Sequence, residues 1–338
     1  MKLTSAPSPR SSHATSRRRA LKLGLAASFA APSIARAQQG WPPQTITWIN
    51  PFPAGGGTDT FARPLAAQVG EQLGCQIIID NKGGAGGTVG ASQAAKMKPD
   101  GSVFFVGAIH HTIAPSIYKN LDYDIEKNFE PITMIALVPQ VISINPAKVP
   151  VKTYAEFLAY VRANPGKVNY ASPGAGTAHH LAGELFKLET KTDITHVPYR
   201  GAGPAMQDLL AGNVDMMFDG MGTSAQQIKA GKLIGLAVAT PARNTEFPDI
   251  PTAAEVGIPN WIVSTWYGMW AIKGTPKPIV DRMYAEIVKA QANPKLQAIW
   301  KDQTAQTGGE SQADFAKRIR AEIEKWQKVS AAAGVKLD

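Results

Sequence analysis

The stretch Ile46-Thr47-Trp48-Ile49-Asn50-Pro51-Phe52-Pro53-Ala54-Gly55-Gly56-Gly57-Thr58-Asp59 decides the fold class of this 338-residue chain. A short β-prone run breaks at two prolines, passes through three glycines and restarts as a helix with Thr58 and Asp59 in its first turn. A strand, a glycine loop and a helix N-terminus in this order present backbone N–H groups to an anion. No Gly-Lys-Ser/Thr follows, so the loop is not a phosphate-binding P-loop.

The alternation of short apolar runs with longer amphipathic stretches continues along the whole chain. This alternation predicts α/β architecture with mainly parallel sheets. The predicted strands are 45–50, 76–80, 102–108, 132–145, 168–172, 194–198, 214–219, 234–240 and 266–272. The predicted helices are 58–73, 88–97, 153–163, 177–189, 203–211, 223–230, 278–291 and 311–333.

Two long apolar runs, 132–145 and 261–272, indicate how the chain is divided into domains. If both pass between two lobes, the chain leaves the first lobe, builds the second and returns. Residues 38–139 and 264–338 then form lobe 1, and residues 140–263 form lobe 2. The alternative is two ordinary core strands in one larger domain.

Residues 1–37 have the pattern of a secretory signal peptide. A basic segment around Arg17 and Arg18 precedes a short apolar run, and Ala35-Arg36-Ala37 matches a small-x-small cleavage site. The arginine pair resembles a twin-arginine export signal, although Ala20 replaces the bulky residue usual there. The alternative is a basic tail. The pattern predicts a protein exported to the periplasm and cleaved after about Ala37.

Removal of this segment changes the meaning of the formal net charge of +9. The segment holds seven lysines and arginines and no acidic residue, so about +2 remains on the rest of the chain. The charge is therefore no argument for nucleic-acid binding. The single cysteine, Cys75, cannot form an intrachain disulfide. Residue 38 is glutamine, which indicates a freely soluble protein and not a lipoprotein.

A second loop repeats the order of the first. In the segment from Asn169 to His180, a strand end is followed by Ser172, a proline, Gly174, Gly176 and a helix that begins near Thr177. Two helix N-termini facing each other across a cleft would hold a carboxylate through backbone donors and hydroxyl groups. Either loop alone is equally well explained as an ordinary left-handed turn.

Several side chains in these loops have a functional and a structural interpretation. Asp59 either caps its helix or receives a cationic or hydroxyl group of a ligand. Arg200 either binds a ligand carboxylate or forms a structural ion pair with Asp215 or Asp219. One imidazole, of His110 or of His180, is expected to donate a hydrogen bond to a ligand oxygen.

Other chemistries fit the sequence poorly. The glycines that follow Lys82 lack the spacing of a dinucleotide fingerprint. The adjacent histidine pairs point to different faces, which disfavours a metal site. Ser172 lacks the glycine of a nucleophile elbow, because Tyr170 stands in its place. A periplasmic hydrolase that uses Ser172 and a histidine remains the enzymatic alternative, and a binding module for a signalling partner is a second one.

Together these motifs resemble the Bug-type extracytoplasmic solute receptors of tripartite tricarboxylate transporters. The matching segments span nearly the whole chain after residue 37, and they are 51–59, 80–87, 98–101, 173–177 with His180-Leu181, 197–201 and 247–252. The resemblance implies a periplasmic-binding-protein fold of two α/β lobes joined by two crossing strands, with the ligand cleft between them. It also implies a receptor, not an enzyme, that closes over one small carboxylate.

The resemblance further implies delivery of the ligand to a membrane permease, and it implies that the loops 52–59 and 172–180 hold the ligand carboxylate. The expected partners are the ligand and a membrane permease of one large and one small integral subunit, with no nucleic acid, no cofactor and no metal, and the receptor is expected to be a monomer. The ligand is a di- or tricarboxylate, an acidic amino acid or an aromatic acid. The predicted ligand-binding residues are Phe52, Ala54, Gly55, Gly56, Thr58, Asp59, His110, Ser172, Gly174, Gly176, Thr177, His180, Arg200 and Asp219.

Overall fold

The structure, a computed structural model, describes residues Gly40–Leu337. The predicted signal peptide, residues 1–37, lies outside the described residues. Residues from Pro42 onward form one compact unit. No helix of the described part is long and apolar enough to cross a membrane.

Helices and strands alternate along most of this unit, as the sequence predicts. The strands are β1 (Thr45–Asn50), β2 (Gln76–Asn81), β3 (Val103–Ala108), β4 (Phe129–Ile144), β5 (Asn169–Ser172), β6 (Thr195–Pro198), β7 (Met216–Gly220), β8 (Ile234–Val238), β9 (Ser264–Ile272) and β10 (Gln306–Thr307). The helices are α1 (Gly57–Leu73), α2 (Thr88–Ala95), α3 (His110–Ile117), α4 (Tyr154–Ala163), α5 (Ala178–Thr190), α6 (Ala202–Ala211), α7 (Met221–Lys229), α8 (Lys277–Gln291), α9 (Pro294–Lys301) and α10 (Gln312–Ala333).

The strands pair in the order β2-β1-β3-β9-β4-β7-β5-β6, and β8 and β10 also pair with β4. The outer pairs are parallel, β1 with β2 and β3, and β5 with β6 and β7. All pairs of β4 and β9 are antiparallel. The α/β class is therefore confirmed, but the expectation of mainly parallel sheets is wrong, because β4 and β9 run against their neighbours through the middle of the sheet.

Strand β4 is unusually long because it pairs with two groups of strands. Its residues Phe129–Pro139 pair with β9, while Gln140–Ile144 pair with β7. We call β1, β2, β3, β9 and β10 the first strand group, and β5, β6, β7 and β8 the second strand group. The change of partner falls at the boundary predicted between 139 and 140. The division into two lobes stays a prediction, since the residues from Pro42 onward form one compact unit.

The C-terminal helix α10 covers the core of the first strand group. Phe315, Ile319 and Trp326 lie on the face of this helix that is buried. The Phe315 ring lies 5.6 Å from the Trp266 ring and 5.0 Å from the Trp270 ring, both on β9. This aromatic packing holds β9 in place, and β9 supplies one wall of the site described below.

Candidate ligand-binding site

The junction between β1 and α1 has an open helix N-terminus. Gly56 is the N-cap residue and has no side chain with which to cap the helix. The first N–H groups of a helix have no partner within the helix. The N–H groups of Gly57 and Thr58 also have no partner elsewhere within Gly40–Leu337. These donors are therefore available to an anion.

Asp59 stabilises this junction through hydrogen bonds to its carboxylate. Its carboxylate accepts hydrogen bonds from the Gly55 N–H at 3.0 Å, from Arg63 Nε at 2.7 Å and from Asn81 Nδ2 at 3.2 Å. Burial alone raises the pKa of Asp59, but these hydrogen bonds outweigh burial and keep the pKa below its usual range. Of the two interpretations of Asp59, the structural one matches these contacts.

At the junction between β5 and α5, backbone N–H groups already donate to side chains of the protein. Thr177 Oγ1 caps α5 by accepting from the His180 N–H at 3.3 Å. His180 Nδ1 accepts from the Gly176 N–H at 3.1 Å, and His110 Nδ1 accepts from the Ala178 N–H at 3.0 Å. Most of the donors that were expected to face a ligand are thus already used.

The bond from Ala178 also fixes the protonation of His110. Burial lowers the pKa of His110 well below its usual range, so the ring is neutral at pH 7. Because Nδ1 accepts a hydrogen bond, the single ring proton lies on Nε2. His110 lines the pocket described next, and it brings one N–H donor to that part of the fold.

A pocket lies between these elements and joins the two strand groups. It is lined by Phe52, Gly56, Gly57, Thr58, His110, Pro173, His179, Ala202, Asp219, Thr223 and Tyr267. The cavity at its centre measures about 10 Å³, which is room for one water molecule. The pocket therefore has almost no free volume.

Three helix N-termini without a side-chain cap meet at this pocket. The N-cap residues are Gly56 for α1, Gly201 for α6 and Gly220 for α7. Each helix end carries a partial positive charge. The close approach explains one glycine in particular, because a Cβ on Gly57 would lie 2.0 Å from the Tyr267 hydroxyl oxygen.

One carboxylate faces this positive potential. Asp219 is fully buried, and its Oδ2 accepts from the hydroxyls of Thr223 and Ser224. Its Oδ1 has no partner among the described residues and lies 3.7 Å from His179 Nε2. Burial raises the pKa of Asp219 to about 6, against the hydrogen bonds that lower it. Asp219 is thus largely ionised at neutral pH.

Ser172 and Arg200 lie apart from the pocket lining. Ser172 Oγ lies 2.7 Å from His196 Nε2 but also bonds to both the N–H and the carbonyl of Gly174, and the side chain is fully buried. Arg200 is exposed. The carboxylates that it was expected to contact bind elsewhere: Asp215 accepts from the Asn169 N–H, and Asp219 accepts from hydroxyls.

The structure brings only some of the predicted residues together. The pocket is lined by Phe52, Gly56, Thr58, His110 and Asp219. The others do not line the pocket. Arg200 lies between β6 and α6, and the rest lie at the two junctions: Ala54, Gly55, Asp59, Ser172, Gly174, Gly176, Thr177 and His180. Six further residues line the pocket and are absent from the predicted set: Gly57, Pro173, His179, Ala202, Thr223 and Tyr267. Which residues contact the ligand stays a prediction.

A family model confirms the resemblance found in the sequence. The model of the tripartite tricarboxylate transporter family receptor, TctC, matches residues 61–335. The protein BugT of Bordetella pertussis is 33% identical over 299 residues, which cover 88% of this chain and 91% of BugT.

Solved structures agree with this assignment. The periplasmic binding protein BugD is 36% identical with a TM-score of 0.84, covering 88% of this chain and 99% of BugD. A Rhodopseudomonas palustris protein solved with adipate is 33% identical with a TM-score of 0.85, covering 88% of this chain and 99% of that one. MatC of the same organism, solved with malate, is 33% identical with a TM-score of 0.81, covering 86% and 99%. The chain therefore belongs to the TctC family and is a periplasmic solute-binding receptor of the Bug type.

Proposed function

We propose that this receptor captures a small organic carboxylate and delivers it to a tripartite tricarboxylate transporter. The ligand class is a di- or tricarboxylate, an acidic amino acid or an aromatic acid. The transporter is a permease of one large and one small integral subunit. The receptor works as a monomer in the periplasm after removal of its signal peptide.

The observation that carries this proposal is the meeting of three uncapped helix N-termini at one pocket. The helices that begin after Gly56, Gly201 and Gly220 have no side-chain cap, and a residue of the first turn of each one lines the pocket. An anion at such a position is stabilised by the helix dipoles, by up to about 2 kcal/mol per partly buried helix end. The His110 Nε2–H adds a neutral donor. The relatives solved with adipate and with malate support a carboxylate as the anion.

Ligand capture requires the pocket to open. A cavity of about 10 Å³ holds a water molecule but no carboxylic acid. In our proposal the two strand groups are the two lobes, and they separate by bending where β4 changes partner between Pro139 and Gln140. Closure then returns the ligand to a dry site, where hydrogen bonds are electrostatically stronger than in water.

The test is a thermal-shift screen of the purified receptor against mono-, di- and tricarboxylates, amino acids and aromatic acids. A bound acid at 100 times its dissociation constant should stabilise the fold by about 2.7 kcal/mol. The neutral amide of each acid serves as the control, because it has the same shape without the charge. If no acid raises the melting temperature, or if the amides raise it equally, the proposal is wrong.

A hydrolase is the second candidate, and the contact of 2.7 Å between Ser172 Oγ and His196 Nε2 is the observation in its favour. Two features argue against it. Ser172 is fully buried, and the contacts between a histidine and a carboxylate within Gly40–Leu337 involve His179 and His180, not His196. Turnover of a chromogenic ester that disappears in Ser172→Ala would favour the hydrolase.

A further inference from the structure

The lining of the pocket has two chemically different parts. Gly57 and Ala202 lie at the starts of α1 and α6, where the helix dipoles are positive and where their N–H groups have no partner within Gly40–Leu337. The other part is Asp219, with His179 beside it. A ligand that fills the pocket therefore meets both hydrogen-bond donors and a buried carboxylate.

The side chains of Asp219 and His179 each have a polar atom that lacks a hydrogen-bond partner among the described residues. Asp219 is 0% exposed and His179 is 3% exposed, and both line the pocket. Asp219 Oδ1 and His179 Nδ1 have no hydrogen-bond partner within the described residues. Buried polar atoms in native proteins are nearly always hydrogen-bonded, so an unpaired acceptor at a binding pocket points to a donor on the ligand.

The chemistry of Asp219 limits what that ligand group can be. Its Oδ2 already accepts two hydroxyl hydrogen bonds, from Thr223 and Ser224, so Oδ1 is the oxygen left for a ligand. A second carboxylate placed against Oδ1 would be repelled inside a buried site. An O–H or N–H group would instead complete the hydrogen bonding of Asp219.

We propose that Asp219 and His179 form a subsite for a hydrogen-bond donor, and that the ligand is a hydroxy acid or an amino acid, not an unsubstituted mono- or dicarboxylic acid. This inference rests on the proposed function and narrows its ligand class. The ligand carboxylate lies at the N-terminus of α1, and its hydroxyl or ammonium group donates to Asp219 Oδ1. A hydroxyl and an ammonium share this donor chemistry, and the experiment separates them.

The experiment measures dissociation constants by calorimetry for four matched sets of acids. Each set contains an unsubstituted parent, its hydroxy acid and its amino acid: propionate, lactate and alanine; succinate, malate and aspartate; glutarate, 2-hydroxyglutarate and glutamate; and benzoate, 2-hydroxybenzoate and 2-aminobenzoate. In the set that fits the pocket, we expect the hydroxy or amino member to bind at least tenfold more tightly than the parent. The dissociation constants of the hydroxy acid and the amino acid of that set then show whether a hydroxyl or an amino group is the preferred donor.

The variant Asp219→Asn tests the subsite itself. Asparagine keeps an oxygen for Thr223 and Ser224 and presents an NH₂ group where Oδ1 was, so the preference for a donor should fall below threefold. Asp215→Asn is the matched control, since Asp215 lies near the start of the same strand, accepts from the Asn169 N–H and does not line the pocket. This control should keep the wild-type preference.

Each outcome decides between the proposals. If a parent acid binds within threefold of both substituted members, the subsite is wrong and the receptor function stands. That comparison uses the wild-type protein, so it holds even if Asp219→Asn does not fold. If a folded Asp219→Asn variant keeps the full preference, the subsite is also wrong. If no acid of the four sets binds and no acid of the thermal-shift screen binds either, the proposed function is overturned, and the subsite with it. If the screen finds only acids without a hydroxyl or amino group, the subsite alone is wrong.

Discussion

The two strand-to-helix junctions of this receptor look alike in sequence and differ in the structure. Both have a strand end, a proline, glycines and a helix start, at Pro53–Thr58 and at Pro173–Thr177. The first has a glycine N-cap, and the N–H groups of Gly57 and Thr58 have no partner among the described residues. The second is capped by Thr177, and further donors are bound by His180 and His110.

A glycine loop alone therefore does not make an anion site. A helix N-terminus is available only if the N-cap residue and its neighbours lack side chains that accept the same N–H groups. We therefore propose that the ligand carboxylate binds at the β1–α1 junction. The β5–α5 junction has a structural role in this account, and the following predictions test that separation.

The largest expected effect is the loss of stability in acid, which should arise mainly at the β5–α5 junction. Burial lowers the pKa of His179 and of His196 to about 3, and it also lowers the pKa of His110 and of His180. The unfolded chain binds these protons near pH 6.5, so stability falls as the pH drops below 6.5. At pH 5 each fully buried imidazole should cost roughly 1–2 kcal/mol.

Asp219 acts in the opposite direction, because its pKa is raised to about 6 and its protonation stabilises the fold as the pH falls from about 6 toward 4. Because four histidines oppose this single carboxyl group, we expect the free energy of unfolding to fall as the pH drops. Denaturant unfolding at pH 7.5 and pH 5 measures the sum. In His196→Gln the decline should be shallower. Equal stability at the two pH values would contradict the assignment of neutral buried histidines.

The second prediction concerns the open junction. In Gly57→Ala the new methyl group would lie 2.0 Å from the Tyr267 hydroxyl, so either the ring or the start of α1 must move. We expect ligand affinity to fall at least tenfold, about 1.4 kcal/mol. Calorimetry with an acid found in the screen measures this loss. Unchanged affinity in a folded variant would show that the start of α1 does not hold the ligand.

The third prediction is the counterpart at the closed junction. Thr177→Ala removes the N-cap of α5 and should cost about 1 kcal/mol of stability while ligand affinity changes less than threefold. Thr153→Ala is the matched control, because Thr153 caps α4 in the same way away from the pocket. A large loss of affinity in Thr177→Ala alone would place the ligand at the β5–α5 junction after all.

The smallest expected effect comes from Tyr118, which links the surroundings of the two junctions. Its hydroxyl lies 3.1 Å from the Ala85 carbonyl and 3.1 Å from the Ala175 carbonyl. One proton serves both contacts, so Tyr118→Phe should cost about 0.5–1.5 kcal/mol in the closed state.

We expect this loss as a few-fold faster ligand dissociation, measured by stopped flow. Tyr284→Phe is the control, because its hydroxyl donates to the Gly309 carbonyl, away from both junctions. Equal dissociation rates in the two variants would show that the Tyr118 hydroxyl does not stabilise the closed state.

Most of the fold could be predicted from the sequence because apolar periodicity and capping residues act locally. The capping box of Thr153 and Glu156, for example, forms as its spacing predicts. Two helices were missed. Helix α9 had a readable signal, an Asn293 N-cap followed by Pro294. Helix α3 had none, since it begins with two histidines and contains Pro115.

The site was only half predictable, for a physical reason. Phe52, Gly56 and Thr58 belong to a local motif, whereas Tyr267 reaches the pocket from a strand distant in sequence. The prediction named His180 as a ligand-binding residue, whereas its neighbour His179 lines the pocket. Adjacent helical residues point about 100° apart, and only the packing of α5 decides which one faces the pocket. The antiparallel direction of β9 likewise depends on tertiary structure.

A crystal structure of the receptor with a bound acid from the screen would show directly which junction holds the ligand. We expect one ligand carboxylate oxygen within hydrogen-bond distance of the Gly57 or Thr58 nitrogen, with Thr177 still capping α5. A carboxylate bound instead to the N–H groups of Gly176 and Ala178, with His110 displaced, would contradict this expectation.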